Sequence, residues 1–101
     1  MMTLLSNSRE LDNKKMVKLE RHLKAVANKR RLAILNFLKK KKVATVGEIA
    51  ENIKLSFTST SKHLLILNAA EILEKEQINL QVFYKISNTQ TPIVKCIISI
   101  L

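Results

Sequence analysis

Four consecutive hydroxyl residues, Thr58 to Ser61, are followed directly by Lys62 and His63 and form the most chemically distinctive stretch of this sequence. Hydroxyl groups donate and accept hydrogen bonds and lysine adds a positive charge, so the stretch suits contacts with base edges and phosphate oxygens. Hydroxyl residues are poor helix formers because their side chains compete for backbone hydrogen bonds. Their place at the start of an apolar helical pattern therefore indicates a functional surface.

Catalytic patterns are missing from the sequence. It has no glycine-rich phosphate loop, no carboxylate pair and no pair of histidines at catalytic spacing. Cys96 is the only cysteine, and no base is predicted beside it to activate its thiol. We therefore predict that the protein is not an enzyme and holds no cofactor.

Positive charge is concentrated in the first 42 of the 101 residues. That part holds thirteen Lys or Arg and three Asp or Glu, whereas residues 43–101 hold five of each, so the net charge of +10 belongs to the first part. A basic region of this kind favours a polyanionic partner, nucleic acid first and an anionic membrane second. A coding bias towards A+T-rich codons would also raise the lysine content, so charge alone does not decide the partner.

The compartment is predicted from the cysteine and the two ends of the chain. A single cysteine excludes an intrachain disulfide and fits a reducing compartment. The start, "MMTLLSNSRE", lacks the basic and apolar regions of a signal peptide. The final "PIVKCIISIL" is about half as long as a membrane span and contains Lys95. We expect a soluble, cytoplasmic protein.

The apolar period of the first half predicts three helices. Residues 1–9 are expected to form a flexible arm, and an amphipathic helix begins near Glu10. A second helix follows "ANKRR" and ends in the lysine run 39–42, which is expected to form a polar connector. Thr45 and Glu48 have the spacing of a capping box and open a short third helix.

The second half begins with a helix and then changes period. Ser56 is a good N-cap for the helix that carries the hydroxyl stretch, with Thr60 on its buried side. "LEKEQ" and "QVFYKIS" predict a two-stranded hairpin that turns at Asn79. Thr91 and Pro92 open a last, strongly apolar helix. This is a mainly α fold with a β-hairpin: one domain over residues 10–101, a helix-turn-helix at about 45–70, a hairpin at about 73–87 and a C-terminal helix at about 91–101.

Three segments carry a resemblance to a known family: "VANKRRLAIL", "TVGEIAENIKLSFTSTSKHLLILNAAEIL" and "VFYKI". Over roughly residues 19–87 the sequence resembles the ArsR/SmtB family of winged helix-turn-helix transcriptional regulators. The resemblance implies a symmetric dimer formed by the first and last helices, and a recognition helix that enters the major groove of DNA. Three departures stand out: Phe57 replaces a polar side chain, Glu71 replaces a glycine after the recognition helix, and the hairpin tip, or wing, lacks an arginine.

Metal sensing, which the family name implies, is not expected here. The family's thiolate sites need cysteines near residues 46–53 or near the N-terminus, and this sequence has none there. The alternative site in the last helix needs Asp, Glu or His, and residues 87–101 contain none of these. We therefore predict no family-type metal site.

Carrying the family's positions over, together with the charge and turn patterns, gives a set of candidate residues. Expected DNA contacts are Thr45, Val46, Gly47, Ser56, Phe57, Thr58, Ser59, Ser61, Lys62, His63, Lys40, Lys41, Lys42, Asn79 and Gln81. Expected dimer contacts are Met16, Leu19, Leu23, Ile93, Val94, Ile97, Ile98 and Leu101.

Several side chains keep two interpretations. Lys39–Lys42 could clamp phosphate or form a solvated loop, and His63 could contact a base, a phosphate or a backbone carbonyl. His22 is expected on a solvated face, and Arg30 or Arg31 is expected to pair with an acid such as Glu20 or Glu48.

Taken together, these features predict a homodimeric repressor that binds an inverted repeat in double-stranded DNA. The alternatives are a repressor that responds to oxidation of Cys96, and a winged-helix module that binds protein instead of DNA.

Overall fold

A computed structural model describes the backbone of residues 2–101 and the side chains of residues 9–101. Within these residues, five helices and three strands follow one another along the chain: α1 (Met2–Val26), α2 (Lys29–Lys41), β1 (Val43–Thr45), α3 (Val46–Ile53), α4 (Phe57–Ala69), β2 (Leu73–Ile78), β3 (Gln81–Ile86) and α5 (Pro92–Ile100). The mainly α fold with a hairpin is confirmed. The flexible arm was predicted for residues 1–9. The side chains of residues 1–8 lie outside the described residues, and the backbone belongs to α1 from Met2 onward.

The predicted hairpin is part of a three-stranded antiparallel sheet in the order β1-β3-β2. Asn79 takes a left-handed backbone conformation (φ 58°) at the tight turn between β2 and β3, as expected for a residue that tolerates positive φ. The short strand β1 was not predicted. It pairs Ala44 with Tyr84 of β3 and so ties the chain before α3 to the base of the hairpin.

The core is aliphatic, as the scarcity of aromatic residues predicts. Its buried side chains include Leu35 of α2, Ile49 of α3, Leu64 of α4 and Val94 of α5, and the end of α1 adds Ala25 and Val26. Val94 was predicted to lie in the dimer interface, and that prediction is wrong for its side chain, because Val94 is completely covered by the chain's own core. The last helix is therefore anchored by one face and exposes another.

The helix α4 ends in a Schellman motif. The amide of Glu71 donates to the carbonyl of Asn68, and the amide of Ile72 donates to the carbonyl of Leu67. This arrangement places Glu71 in the left-handed region (φ 62°), where family members commonly carry glycine. Glu71, which replaces a glycine of the family here, therefore adopts the conformation that favours glycine, held by two backbone hydrogen bonds and by the buried Leu67 and Ile72.

Two side chains of α1 hold the same end of α4. The guanidinium of Arg21 donates to the carbonyl of Ala69, and Nε2 of His22 donates to the carbonyl of Ala70 at 3.1 Å. The other ring nitrogen of His22 lies 3.0 Å from the hydroxyl of Thr91, which precedes α5. The expectation that His22 is solvated is therefore wrong: it is buried and joins α1, α4 and α5.

Candidate nucleic-acid interface

The helix α3 is fixed at its start by the predicted capping box. The amide of Glu48 donates to Oγ1 of Thr45 at 3.2 Å, and the amide of Thr45 donates to Oε1 of Glu48 at 3.1 Å. The bond from the Thr45 amide lowers the pKa of the Glu48 carboxyl, followed by the bond from its hydroxyl and the charge of Lys41. Val46 and Gly47 form the first turn of α3, at the place where the resemblance expects a phosphate; Gly47 is exposed, whereas Val46 is half-buried against the core.

A sharp turn leads from α3 into α4. Lys54 adopts the left-handed conformation (φ 56°), and the hydroxyl of Ser56 accepts the amide of Ser59 at 3.1 Å. This N-cap satisfies a backbone donor that would otherwise lack a partner, which offsets the weak helix propensity of the hydroxyl residues. The predicted helix-turn-helix is thus present, with α4 as its second helix.

The hydroxyl stretch divides between two faces of α4. Thr58 and Lys62 are exposed, whereas Ser59 and Ser61 are half-buried at the edges of the outward face. Thr60 points inward and is fully buried, as its spacing from Leu64 predicts. Thr58, Ser61 and Lys62 therefore share the surface that the sequence assigned to DNA, while Ser59 lies at its border.

Two apolar residues of this surface, Leu65 and Ile66, were not among the expected DNA contacts. Phe57, which was expected, leaves 62% of its area exposed, and Leu65 and Ile66 further along α4 leave 58% and 44%. The signal was available in the sequence, because Leu65 and Ile66 follow the outward-facing Lys62 by three and four residues, spacings that place side chains on the same side of a helix.

His63 is half-buried and contacts Arg31 of α2. Nη1 of Arg31 lies 3.2 Å from Nδ1 of His63, while the same guanidinium donates to the carbonyls of Ala25 and Lys24 at the end of α1. The expectation that Arg30 or Arg31 pairs with an acid such as Glu20 or Glu48 is wrong among the described residues. Glu20 lies beside Lys24 and Glu48 beside Lys41, and the Arg31 guanidinium binds the last carbonyls of a helix. Burial of the His63 ring lowers its pKa, and the charges of Arg31 and Arg30 lower it further.

The lysine run differs from the polar connector that was predicted. Lys40 and Lys41 belong to the last turn of α2, and Lys42 follows it with a positive φ of 79°. Nζ of Lys41 lies 3.9 Å from Oε2 of Glu48, so part of this charge is directed at the first turn of α3. All three are exposed beside the start of the helix-turn-helix.

The tip of the hairpin exposes both polar and apolar side chains. Asn79 and Gln81 are exposed as expected, and Leu80 between them leaves 96% of its area exposed. The side-chain amide of Gln77 donates to the carbonyl of Asn79 at 3.3 Å and supports the turn.

An apolar groove separates α1 from α5 on another face. It encloses about 480 Å³, and its apolar lining includes Met16, Leu19, Pro92 and Ile93. Leu23 is exposed on the same helix as Met16 and Leu19, and the side chains of Ile97, Ile98 and Leu101 are half-buried. Apart from Val94, the residues assigned to the dimer interface thus keep area for a partner.

Other kinds of site have little support in the part of the chain that is described. No cluster of His, Cys, Asp and Glu there could hold a metal ion. Cys96 is exposed on α5. None of the described helices is both long and apolar enough to cross a membrane.

A helix-turn-helix followed directly by a β-hairpin defines a winged helix-turn-helix protein. Residues 28–75 match the family described as "Bacterial regulatory protein, arsR family". HlyU of Vibrio cholerae, described as a transcriptional activator, is 37% identical over 79 residues, which are 78% of this chain and 69% of that protein. The chain belongs to the ArsR family of bacterial regulatory proteins, as its motifs indicated.

Solved structures agree with this assignment. HlyU of V. cholerae superposes with a TM-score of 0.73 at 33% identity, over 86% of this chain and 90% of that one. The transcriptional repressor PagR of Bacillus anthracis gives 0.74 at 30% identity, over 87% and 97%. The homodimeric winged helix-turn-helix DNA-binding domain of Mb0332 from Mycobacterium bovis gives 0.76 at 25% identity, over 88% and 79%.

Proposed function

We propose that this chain is a cytoplasmic, sequence-specific regulator of transcription that binds double-stranded DNA as a homodimer. The observation that carries the proposal is the outward face of α4, where Thr58, Ser61 and Lys62 are held on a capped helix with no role in the core. The second helix of a helix-turn-helix places its N-terminal residues against base edges in the major groove. Phe57, Ser59 and His63 lie beside these contacts.

Phosphate contacts would come from the elements around α4. Lys40, Lys41 and Lys42 are exposed beside the first turn of α3, which begins at Val46 and Gly47. Helix N-termini bind phosphate because their amides and dipole favour negative charge. The side chain of Thr45 serves mainly as the cap of α3, so its part in DNA binding is to fix that first turn.

The dimer supplies the second half of the site. Met16, Leu19 and Ile93 line the groove between α1 and α5, and Leu23 is exposed on the same helix as Met16 and Leu19. Contiguous exposed apolar side chains mark an interaction surface. A second copy related by a two-fold axis would cover both faces at once. A homodimeric relative with the same fold supports this arrangement.

Repression by blocking a promoter is the simplest action for a regulator of this size. The named relatives include one activator and one repressor. A reporter gene placed behind the bound promoter therefore tests whether this protein represses or activates transcription. Deletion of the gene should raise expression from that promoter. A fall in expression would make the protein an activator.

Selection of bound sequences from a random DNA pool tests the proposal directly. We expect an inverted repeat whose half-sites lie about one helical turn, ~10–11 bp, apart. Sedimentation of the free protein should show a dimer, and Leu19→Glu should give a monomer with weaker binding. Enrichment of no sequence at low salt would contradict sequence-specific binding.

A second candidate is a winged helix that binds protein, favoured by the exposed side chains of Phe57 and Leu65. Such a module would fail to bind any duplex, even at low salt, and would not bind heparin. A third candidate is a repressor that responds to oxidation through the exposed Cys96. It predicts that oxidant abolishes selection of the inverted repeat by the wild type but leaves Cys96→Ser unaffected.

A further inference from the structure

The outward face of α4 consists of two rows of side chains at intervals of four residues. One row is Phe57, Ser61 and Leu65, and the other is Thr58, Lys62 and Ile66. Lys62 carries the only charge in either row, and residues 57–67 include no Arg, Asn, Gln, Asp or Glu. Apart from Lys62, the face is therefore made of hydroxyl and apolar groups.

This composition limits how α4 reads bases. Two-pronged hydrogen bonds to guanine come from Arg or Lys, and those to adenine come from Asn or Gln. Apolar side chains instead contact the 5-methyl group of thymine, which projects into the major groove. Of these options, the outward face offers one lysine and three large apolar side chains.

Phe57 is the apolar side chain best placed for a base. It is the first residue of α4, directly after the Ser56 cap, and the first residues of a recognition helix lie closest to the base edges. The Ser56 hydroxyl bond to the Ser59 amide fixes the backbone on both sides of it. Its side chain is 62% exposed, so most of the ring is accessible to a ligand.

We propose that Phe57 is a specificity-determining residue that contacts the 5-methyl group of a thymine, so that each half-site carries a thymine opposite the first turn of α4. This assignment rests on the proposed function, because it requires α4 to enter the major groove. It adds the chemistry of the contact: burial of one methyl group against the Phe57 ring. Ser61 and Lys62 then read or anchor the neighbouring positions.

Uracil substitution tests the contact, because deoxyuridine lacks the methyl group of thymidine and keeps every hydrogen-bonding group of the base. Each thymine of a selected half-site is replaced singly, and affinity is measured at constant salt. At one position the loss should be about fourfold for one half-site and about fifteenfold for both, the effect of burying one methyl group per half-site. The other substitutions should change affinity little.

A second substitution restores the methyl group in another base pair. The protein should bind weakly to a duplex with cytosine at the identified position. Replacing that cytosine with 5-methylcytosine should raise the affinity by about the factor that uracil substitution removed. Phe57→Ala should bind thymine and uracil duplexes equally while still shifting DNA. Leu65→Ala serves as the matched control, since it removes an equally exposed apolar side chain and should keep the discrimination.

Each outcome bears on the assignment. Equal affinity of the wild type for every uracil duplex overturns the methyl contact alone, with DNA binding intact. If Phe57→Ala still discriminates between thymine and uracil duplexes, another residue contacts the methyl group, and the assignment to Phe57 is likewise overturned. Failure to bind any duplex overturns this inference together with the proposed function.

Discussion

Nη1 of Arg31 lies 3.2 Å from Nδ1 of His63 and joins the start of α2 to the middle of α4. Arginine is a donor only, so Nδ1 accepts this bond and the proton of the neutral ring lies on Nε2. Arg31 is itself fixed, because its Nε donates to the carbonyl of Ala25. The end of α1, the start of α2 and the recognition helix are thus linked through two side chains.

The partly buried position of His63 beside two arginines makes stability depend on pH. Burial and the charges of Arg31 and Arg30 lower the pKa of His63 in the folded protein from its ordinary value near 6.5. Below that value the unfolded chain binds a proton that the folded chain does not, so the free energy of unfolding should fall as the pH drops through 6.5. Urea denaturation at about pH 7.5 and about pH 5.5 measures the loss. His63→Asn keeps an acceptor for Arg31 and cannot titrate, so its loss should be smaller, and equal losses in both proteins would contradict the prediction.

Glu71 offers a simple test of backbone strain. A residue with a Cβ pays roughly 1 kcal/mol for the left-handed conformation that ends α4, and glycine does not. Glu71→Gly should therefore raise the free energy of unfolding by about 1 kcal/mol. Glu71→Ala removes the same carboxylate but keeps the Cβ, so it should show no comparable gain. A similar gain in both variants would assign the effect to charge.

Thr60 carries a buried hydroxyl whose Oγ1 has no hydrogen-bond partner among the residues that the structure describes. An unpaired buried hydroxyl costs about 1–3 kcal/mol, and valine has nearly the same shape without it. Thr60→Val should therefore stabilise the protein by about 1 kcal/mol in chemical denaturation. Thr58→Val is the control on the exposed face and should change stability by less than about 0.5 kcal/mol. Destabilisation by Thr60→Val would show that the hydroxyl has a partner.

Local signals in the sequence predicted most of the fold. The capping box at Thr45, the N-cap at Ser56 and the turn at Asn79 each depend on neighbouring residues, and all three form as expected. The strand β1 could not be predicted, since three residues show no period and the strand exists only through pairing with β3. The burial of His22 was missed for the same reason, because its partner Ala70 is 48 residues away.

The candidate site was predicted in part. Its hydroxyl face follows from the period of α4, which separates Thr60 from Thr58 and Lys62. The roles of basic residues were harder to infer, because a sequence gives the number of charges and not their partners. Arg31 binds backbone carbonyls that only the packing of α1 against α2 brings near.

Lys62 and Ser61 should affect DNA binding in different ways. Each phosphate contact contributes about 0.9 to the slope of log K against log salt, so Lys62→Ala in both subunits should make that slope shallower by about 2. Affinity should fall for every sequence, because a phosphate contact carries no information about the base. Lys95→Ala removes an exposed lysine from α5 and should leave the slope unchanged.

Ser61→Ala should keep the slope and relax discrimination at one base position in each half-site. Unchanged sequence preference in Ser61→Ala would remove this residue from base recognition, whereas an unchanged slope in Lys62→Ala would show that its ammonium does not contact a phosphate.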